Sequence, residues 1–197
     1  RKSGGVTRSH LRFGKSPIHS EYYVKDADFI SCSLDTYIFR FDIIRNLKVG
    51  GTFLLNTDMD EKALIASMPN RMKHLLAAKK AHFYIIDANH IAEEIGLGRR
   101  TNTVLQASFF KLNEQIMPYD EAQKWMKKFA LKSYAKKGQA VVDLNYKAID
   151  AGAEGLKEVA VDPAWIELPV ARVKTNSGDD YFDDYYNVMG NLDGDDI

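Results

Sequence analysis

Residues Ser3–Gly14 read SGGVTRSHLRFG, and within six positions they set out Thr7, Arg8, Ser9, His10 and Arg12. Two hydroxyls, an imidazole and two guanidiniums suit phosphate or carboxylate, since hydroxyls donate singly and guanidiniums donate in a bidentate fork. The preceding Gly4-Gly5 pair allows the backbone to come close to a ligand or another chain. If Val6–Phe13 is a strand, Thr7 and Ser9 share one side while Arg8, His10 and Arg12 share the other. The competing reading is a surface hairpin whose arginines are solvated, and on residue chemistry alone it comes first.

A second set lies at Gly96–Phe110, GLGRRTNTVLQASFF. Gly-x-Gly followed by Arg99, Arg100, Thr101 and Asn102 at the start of a helix is a candidate anion site, because unpaired N–H groups and the helix dipole favour negative charge there. The bland alternative is a helix C-cap followed by an N-cap. The dinucleotide fingerprint is excluded: it needs a third glycine and a preceding strand, and here a helix precedes.

Other chemistry is thinly represented. His74, His82 and His90 are spaced eight apart and fall on different elements, which is no metal-ligand spacing. Cys32 is the single cysteine, so no disulfide framework and no iron–sulfur site can be built here. It sits in an apolar run and reads as a buried structural thiol. Asp87 ends an apolar run, where α/β proteins place ligand contacts, although helix capping is the commoner task. There is no P-loop, no Gly-x-Ser-x-Gly and no paired-carboxylate motif. The residues alone describe an accessory, non-catalytic α/β domain.

The elements that must position these residues alternate in type. Strands are expected at Asp28–Ser33, Thr52–Asn56 and His82–Asp87. Helices are expected at Tyr37–Leu47, capped by Asp35 or Thr36 and closed by Gly50-Gly51, and at Asp60–Ser67, Pro69–Lys80 and Ala88–Ile95. After Gly98 the strand signal stops, and Thr101–Asn113, Asp120–Lys137 and Gln139–Gly152 read as helices. In Asp120–Lys137 the residues Ala122, Met126, Phe129, Ala130 and Ser133 form an apolar face. The pattern predicts an α/β fold: a three-layer α/β/α domain with a mostly parallel or mixed sheet, C-terminal helices and an acidic tail.

Composition bounds the rest. The 197 residues are 45% hydrophobic and 27% charged with zero net charge, giving one globular domain and no reason to expect nucleic acid or an anionic membrane as partner. The apolar runs are too short to cross a bilayer. One cysteine fits a reducing, cytoplasmic setting. The chain begins with Arg1 and reads as a piece of a longer polypeptide. Residues 175–197 hold seven aspartates, four aromatics and no Lys or Arg, the composition of a linker or docking arm. The expected division is 1–170 as the folded module and 171–197 as the arm.

The sequence resembles the γ-type domain (domain III) of pyruvate:ferredoxin/flavodoxin oxidoreductases. The resemblance rests on SGGVTRSHLRFG (3–14), ADF (27–29), GGTFLLNT (50–57), KKAHFYIIDA (79–88), IGLGRRTNTVLQASFFKL (95–112) and YAKKG (134–138). The chain departs from the family pattern at Arg8 and Ser33. The resemblance implies a large cytoplasmic, dimeric, multidomain oxidoreductase. Such an enzyme decarboxylates pyruvate on thiamine diphosphate with magnesium, passes electrons through 4Fe-4S clusters to ferredoxin or flavodoxin, and transfers acetyl to coenzyme A. It further implies that this domain lacks an initial strand–helix–strand unit, helps bind coenzyme A and shields the thiamine site. Coenzyme A carries a pyrophosphate and a ribose phosphate, so Thr7, Ser9 and Arg12 are its candidate contacts, with Arg100 and Asn102 as second choices. No residue here is a candidate catalyst, and the isolated piece is expected to be inactive. The rival expectation is a structural module that packs domains together and touches no ligand.

Overall fold

The computed structural model describes residues 7–19 and 23–170. Three strands, β1 (Ala27–Cys32), β2 (Leu47–Asn56) and β3 (His82–Ile86), are parallel, and β4 (Lys157–Val159) closes the sheet antiparallel to β3 in the order β1-β2-β3-β4. Six α-helices accompany them: α1 (Glu61–Ser67), α2 (Asn70–Ala78), α3 (Ala88–Ile95), α4 (Asn102–Leu112), α5 (Tyr119–Tyr134) and α6 (Gln139–Glu154).

Alternation along the strands builds two cores, one on each face. Phe53, Leu55, Phe83 and Ile85 meet Leu64 of α1, Met68 just after it, and Met72 and Leu76 of α2 on one side. Leu54 and Ile86 meet Ala88, Ala92, Val104 and Ala148 of α3, α4 and α6 on the other. A third cluster, Ala107, Ala122, Met126, Ala130 and Ile149, fixes α5 outside α4 and α6. Burial on both faces is why FLL and FYII read as continuous apolar runs. The α/β class, the mixed sheet and the C-terminal helices are as the sequence predicts; the acidic tail from residue 171 lies outside the described residues.

Several boundaries differ. Tyr37–Leu47 is not a helix: a 3-10 turn covers Asp35–Phe39, linked turns follow, and Leu47 already belongs to β2. This stretch is rich in aromatic and β-branched residues, which are weak helix formers, and it buries Ile38, Ile44 and Leu47 one by one against the sheet. Gly50 and Gly51 are therefore inside β2. The β1–β2 register jumps from Ala27↔Leu47 to Phe29↔Thr52, and Gly50, at φ 76°, turns out of the ladder to donate its N–H to the Lys79 carbonyl at 2.7 Å. Strand β4 was not expected, since three residues (KEV) carry no readable alternation. Pro69 precedes α2 as its N-cap instead of opening it. Phe129 of α5 was expected on the buried face and is 57% exposed.

Helices α4 and α6 touch at backbone distance. A Cβ on Gly152 would collide with the Val104 carbonyl oxygen, and the buried Ser108 hydroxyl lies 2.7 Å from the Gly152 carbonyl and 3.0 Å from that of Val104.

Candidate functional site

The residues Thr7–Phe13 are irregular, not a strand, and consecutive members of the run border one groove of about 1520 Å³. The expected separation of Thr7 and Ser9 from Arg8, His10 and Arg12 onto opposite sides therefore does not arise. The physical reason is that, among the described residues, no strand pairs with the segment. Side chains hold it instead: Arg12 donates from its guanidinium to the Tyr23 carbonyl at 3.0 Å, and the Val24 N–H donates to His10 Nδ1 at 3.1 Å, with the His10 and Tyr23 rings 5.0 Å apart. Phe13 then rests on Phe109 of α4, which also meets Phe29 of β1 edge-on at 5.1 Å. Residues 3–6, including the Gly4-Gly5 pair, lie outside the described residues.

The far wall of the groove is β1, whose residues Ala27–Cys32 all border it; among the described residues β1 pairs with β2 alone. Cationic groups facing the groove are Arg8, Arg12, Lys25 and Arg45. Three carboxylates also border it, Asp26, Asp28 and Asp42; Asp28 is held by Lys48 at 2.7 Å and Asp42 by Arg71 at 2.6 Å, so the charge presented is positive on balance. The Thr7 and Ser9 hydroxyls are exposed and have no hydrogen-bond partner among the described residues. Removal from water, helped by the Arg8 and Arg12 charges, lowers the His10 pKa, and Nδ1 must be unprotonated to accept the Val24 N–H.

The structure does not bring Arg100 and Asn102 to this groove. Arg100 precedes α4 and Asn102 opens it, whereas Phe109 and Asn113, which do border the groove, lie toward the other end of the helix, about 10 to 17 Å from Asn102 by helical rise. Arg100 folds back on its own turn, Nε donating to the Leu97 carbonyl at 3.1 Å, and Asn102 is exposed.

A network that residue types alone left unmarked closes the carboxyl ends of the strands. Asn56, only 4% exposed, donates to the Ser33 carbonyl at 3.1 Å and accepts the Ala88 N–H at 2.9 Å, tying the end of β1 to the start of α3. Thr57 donates to Asp35 at 3.0 Å. The usable signal was the polar Asn-Thr pair ending an apolar strand. Asp87 caps α3 through the His90 N–H at 2.9 Å, the commoner of its two expected tasks. Cys32 is buried with Sγ 3.0 Å from the Leu34 carbonyl, and burial, aided by Asp35, pushes its thiol above the ordinary range, an inert setting. Among the described residues no group of three or more His, Cys, Asp or Glu could hold a metal ion, and no helix is long and apolar enough to cross a membrane.

Comparison with known proteins then places the chain. Residues 1–155 match the family model described as pyruvate ferredoxin/flavodoxin oxidoreductase. The chain is 43% identical over 167 residues to a pyruvate:ferredoxin oxidoreductase of Moorella thermoacetica, covering 85% of this chain and 14% of that protein. It is 41% identical over 197 residues to a pyruvate-flavodoxin oxidoreductase of Enterobacter agglomerans, covering 100% of this chain and 17% of that one. A solved structure, the pyruvate oxidoreductase subunit PORC of Thermotoga maritima, superimposes with a TM-score of 0.53 at 21% identity, covering 68% of this chain and 66% of that chain, and shares the fold. The chain thus spans 14–17% of the length of these two relatives, and it belongs to the pyruvate ferredoxin/flavodoxin oxidoreductase family.

Proposed function

We propose that this chain is a domain of a pyruvate oxidoreductase that converts pyruvate, coenzyme A and an oxidised ferredoxin or flavodoxin into acetyl-CoA, carbon dioxide and reduced acceptor. Within that enzyme the domain helps bind coenzyme A and shields the thiamine diphosphate site. The observation that carries the reading is the pair of unpartnered hydroxyls, Thr7 and Ser9, on the wall of a positively charged groove beside Arg12. Hydroxyls and guanidinium are the donors that phosphate groups select. Thr7, Ser9 and Arg12 would hold the phosphates, and the Phe13–Phe109–Phe29 wall offers apolar surface for the rest of the ligand. Arg100 and Asn102, at the other end of α4, act only at a separate surface.

The donor set does not fit the remaining cofactors. One buried thiol cannot ligate a 4Fe-4S cluster. We assign thiamine diphosphate, its magnesium and the clusters to other parts of the parent chain. The domain's share is binding, orientation and exclusion of water. The parent would add its strand–helix–strand unit along the edge of β1 that is unpaired among the described residues, and it would work as a cytoplasmic homodimer. By this reading the 197-residue chain alone turns over no pyruvate, and residues 171–197 link or dock it to its neighbours.

One observation favours the rival, purely structural reading: Arg12 is already engaged with the Tyr23 carbonyl, as a clamp would be. Steady-state kinetics of the complete parent enzyme separate the two. Thr7→Val and Ser9→Ala should raise the KM for coenzyme A and leave the KM for pyruvate in place. A structural module would instead show lowered assembly or thermal stability with the coenzyme A KM unchanged.

A further inference from the structure

Strand β1 is polar and bare at a place where its neighbour is apolar and covered. In the parallel pairing Ser31 stands beside Leu54 of β2; Leu54 is fully buried in the cluster formed with α3, α4 and α6, whereas Ser31 is exposed. The helical cover stops at Phe29, two residues earlier on the same face, which meets Phe109 of α4. Beyond it Ser31 and Ser33 border the large groove with exposed side chains, and neither hydroxyl has a hydrogen-bond partner among the described residues.

The end of this face is held firmly. The Ser33 carbonyl accepts from buried Asn56, the Leu34 carbonyl lies 3.0 Å from Cys32 Sγ, and Asp35 accepts from the Thr57 hydroxyl, which in turn accepts the Met59 N–H at 3.2 Å. Ser33, Leu34 and Asp35 are thus each tied to the ends of β1 and β2, while the Ser33 side chain is left exposed. A loop fixed on a rigid scaffold is where binding groups are placed, and ligands of α/β sheets meet the carboxyl ends of the strands.

The groove changes character in one direction along β1. Before the strand, Arg12 and His10 are fastened to Tyr23 and Val24, with the Thr7 and Ser9 hydroxyls on the same segment. The rings of Phe13, Phe109 and Phe29 follow, and Ser31 and Ser33 close the series. Coenzyme A presents the complementary groups in the same order: phosphates, the paired methyls of pantoate, two amides and the thiol. Strand rise puts Ser31 and Ser33 about 7 and 13 Å beyond Phe29. The pantetheine arm has about twelve bonds from its phosphate ester to sulfur and reaches on the order of 15 Å when extended.

We propose that Ser31 and Ser33 are contacts for the pantetheine arm of coenzyme A. The arm passes the phenyl wall, its amides exchange hydrogen bonds with the two hydroxyls, which can both donate and accept, and its thiol emerges at the carboxyl end of β1 beside Leu34. The inference rests on the coenzyme A reading of the Thr7–Arg12 segment and adds to it two residues and the direction in which the ligand lies.

The test titrates two ligands into the complete parent enzyme by calorimetry: coenzyme A, and ADP, which keeps the pyrophosphate and lacks the arm. Ser31→Ala with Ser33→Ala should weaken coenzyme A at least about fivefold and leave ADP unchanged. Thermal stability should hold, because both side chains are exposed. Thr7→Ala with Ser9→Ala should weaken both ligands. Coenzyme A affinity unchanged in the Ser31, Ser33 variant overturns the proposal. An equal loss for both ligands in that variant overturns it too, since it would mark a general disturbance of the groove. Affinities untouched in the Thr7, Ser9 variant would instead overturn the phosphate assignment on which the inference rests, so the two failures are told apart.

Discussion

The Val24 N–H donates to His10 Nδ1 at 3.1 Å, and this bond, with that from Arg12 to Tyr23, holds the Thr7–Phe13 wall of the groove in place. Its strength is tied to a proton, because a protonated Nδ1 cannot accept.

His10 should titrate below its usual value of about 6.5, because removal from water and the Arg8 and Arg12 charges lower it. A base whose pKa falls on folding contributes stability that is full above the unfolded value and lost as pH drops through the folded one. The Val24 amide, followed by hydrogen exchange and corrected for its intrinsic rate, should lose protection as the solution is made more acidic than about pH 6.5. His10→Gln, which can accept the bond without titrating, should abolish that dependence. Protection independent of pH in the unaltered chain would contradict the assignment.

Gly152 should tolerate no side chain. Gly152→Ala drives its Cβ into the Val104 carbonyl and to 3.0 Å from the Ala107 Cβ, so α4 and α6 must separate. Overpacking of this kind costs about 1–3 kcal/mol, and thermal unfolding should begin several degrees lower.

Asn56→Ala should be as damaging for the opposite reason. It leaves the Ser33 carbonyl and the Ala88 N–H without their partner beside a buried strand end. Each stranded group costs about 1–3 kcal/mol, which urea denaturation would read as a lower midpoint with unchanged slope.

Tyr119 should resist ionisation. Its hydroxyl donates to the Ile149 carbonyl at 3.1 Å, and burial, with Asp150 and Glu154 adding, pushes it up to about 12. An acid whose pKa rises on folding stabilises the fold below its unfolded value near 10 and loses that contribution as pH climbs toward the folded one. Absorbance at the tyrosinate band should show a component titrating toward pH 12 that is absent in Tyr119→Phe, while Tyr84, also pushed up by burial and Glu158, keeps its own upward shift.

The helices and strands of the chain's centre were legible because their signals are redundant. His82–Ile86 is apolar throughout and bounded by turns, and Ala88–Ile95 has a capping aspartate before it and Gly96, at φ 94°, after it. Tyr37–Leu47 misled because its apolar spacing is compatible with a helix, while tertiary contacts of Ile38, Ile44 and Leu47 pulled it into turns. The candidate site was half legible. Thr7, Ser9 and Arg12 could be chosen by residue chemistry, but only coordinates show that they border one groove and that Arg100 and Asn102 face elsewhere. The His10–Val24 clamp, fourteen positions apart, has no local pattern to betray it.

The most direct test is calorimetric titration of coenzyme A into the complete parent enzyme, unaltered and with Thr7→Ala and Ser9→Ala together. Loss of two hydroxyl donors to charged phosphates should weaken binding about tenfold or more, with thermal stability unchanged. Affinity equal to that of the unaltered enzyme would contradict a role for this groove in holding coenzyme A.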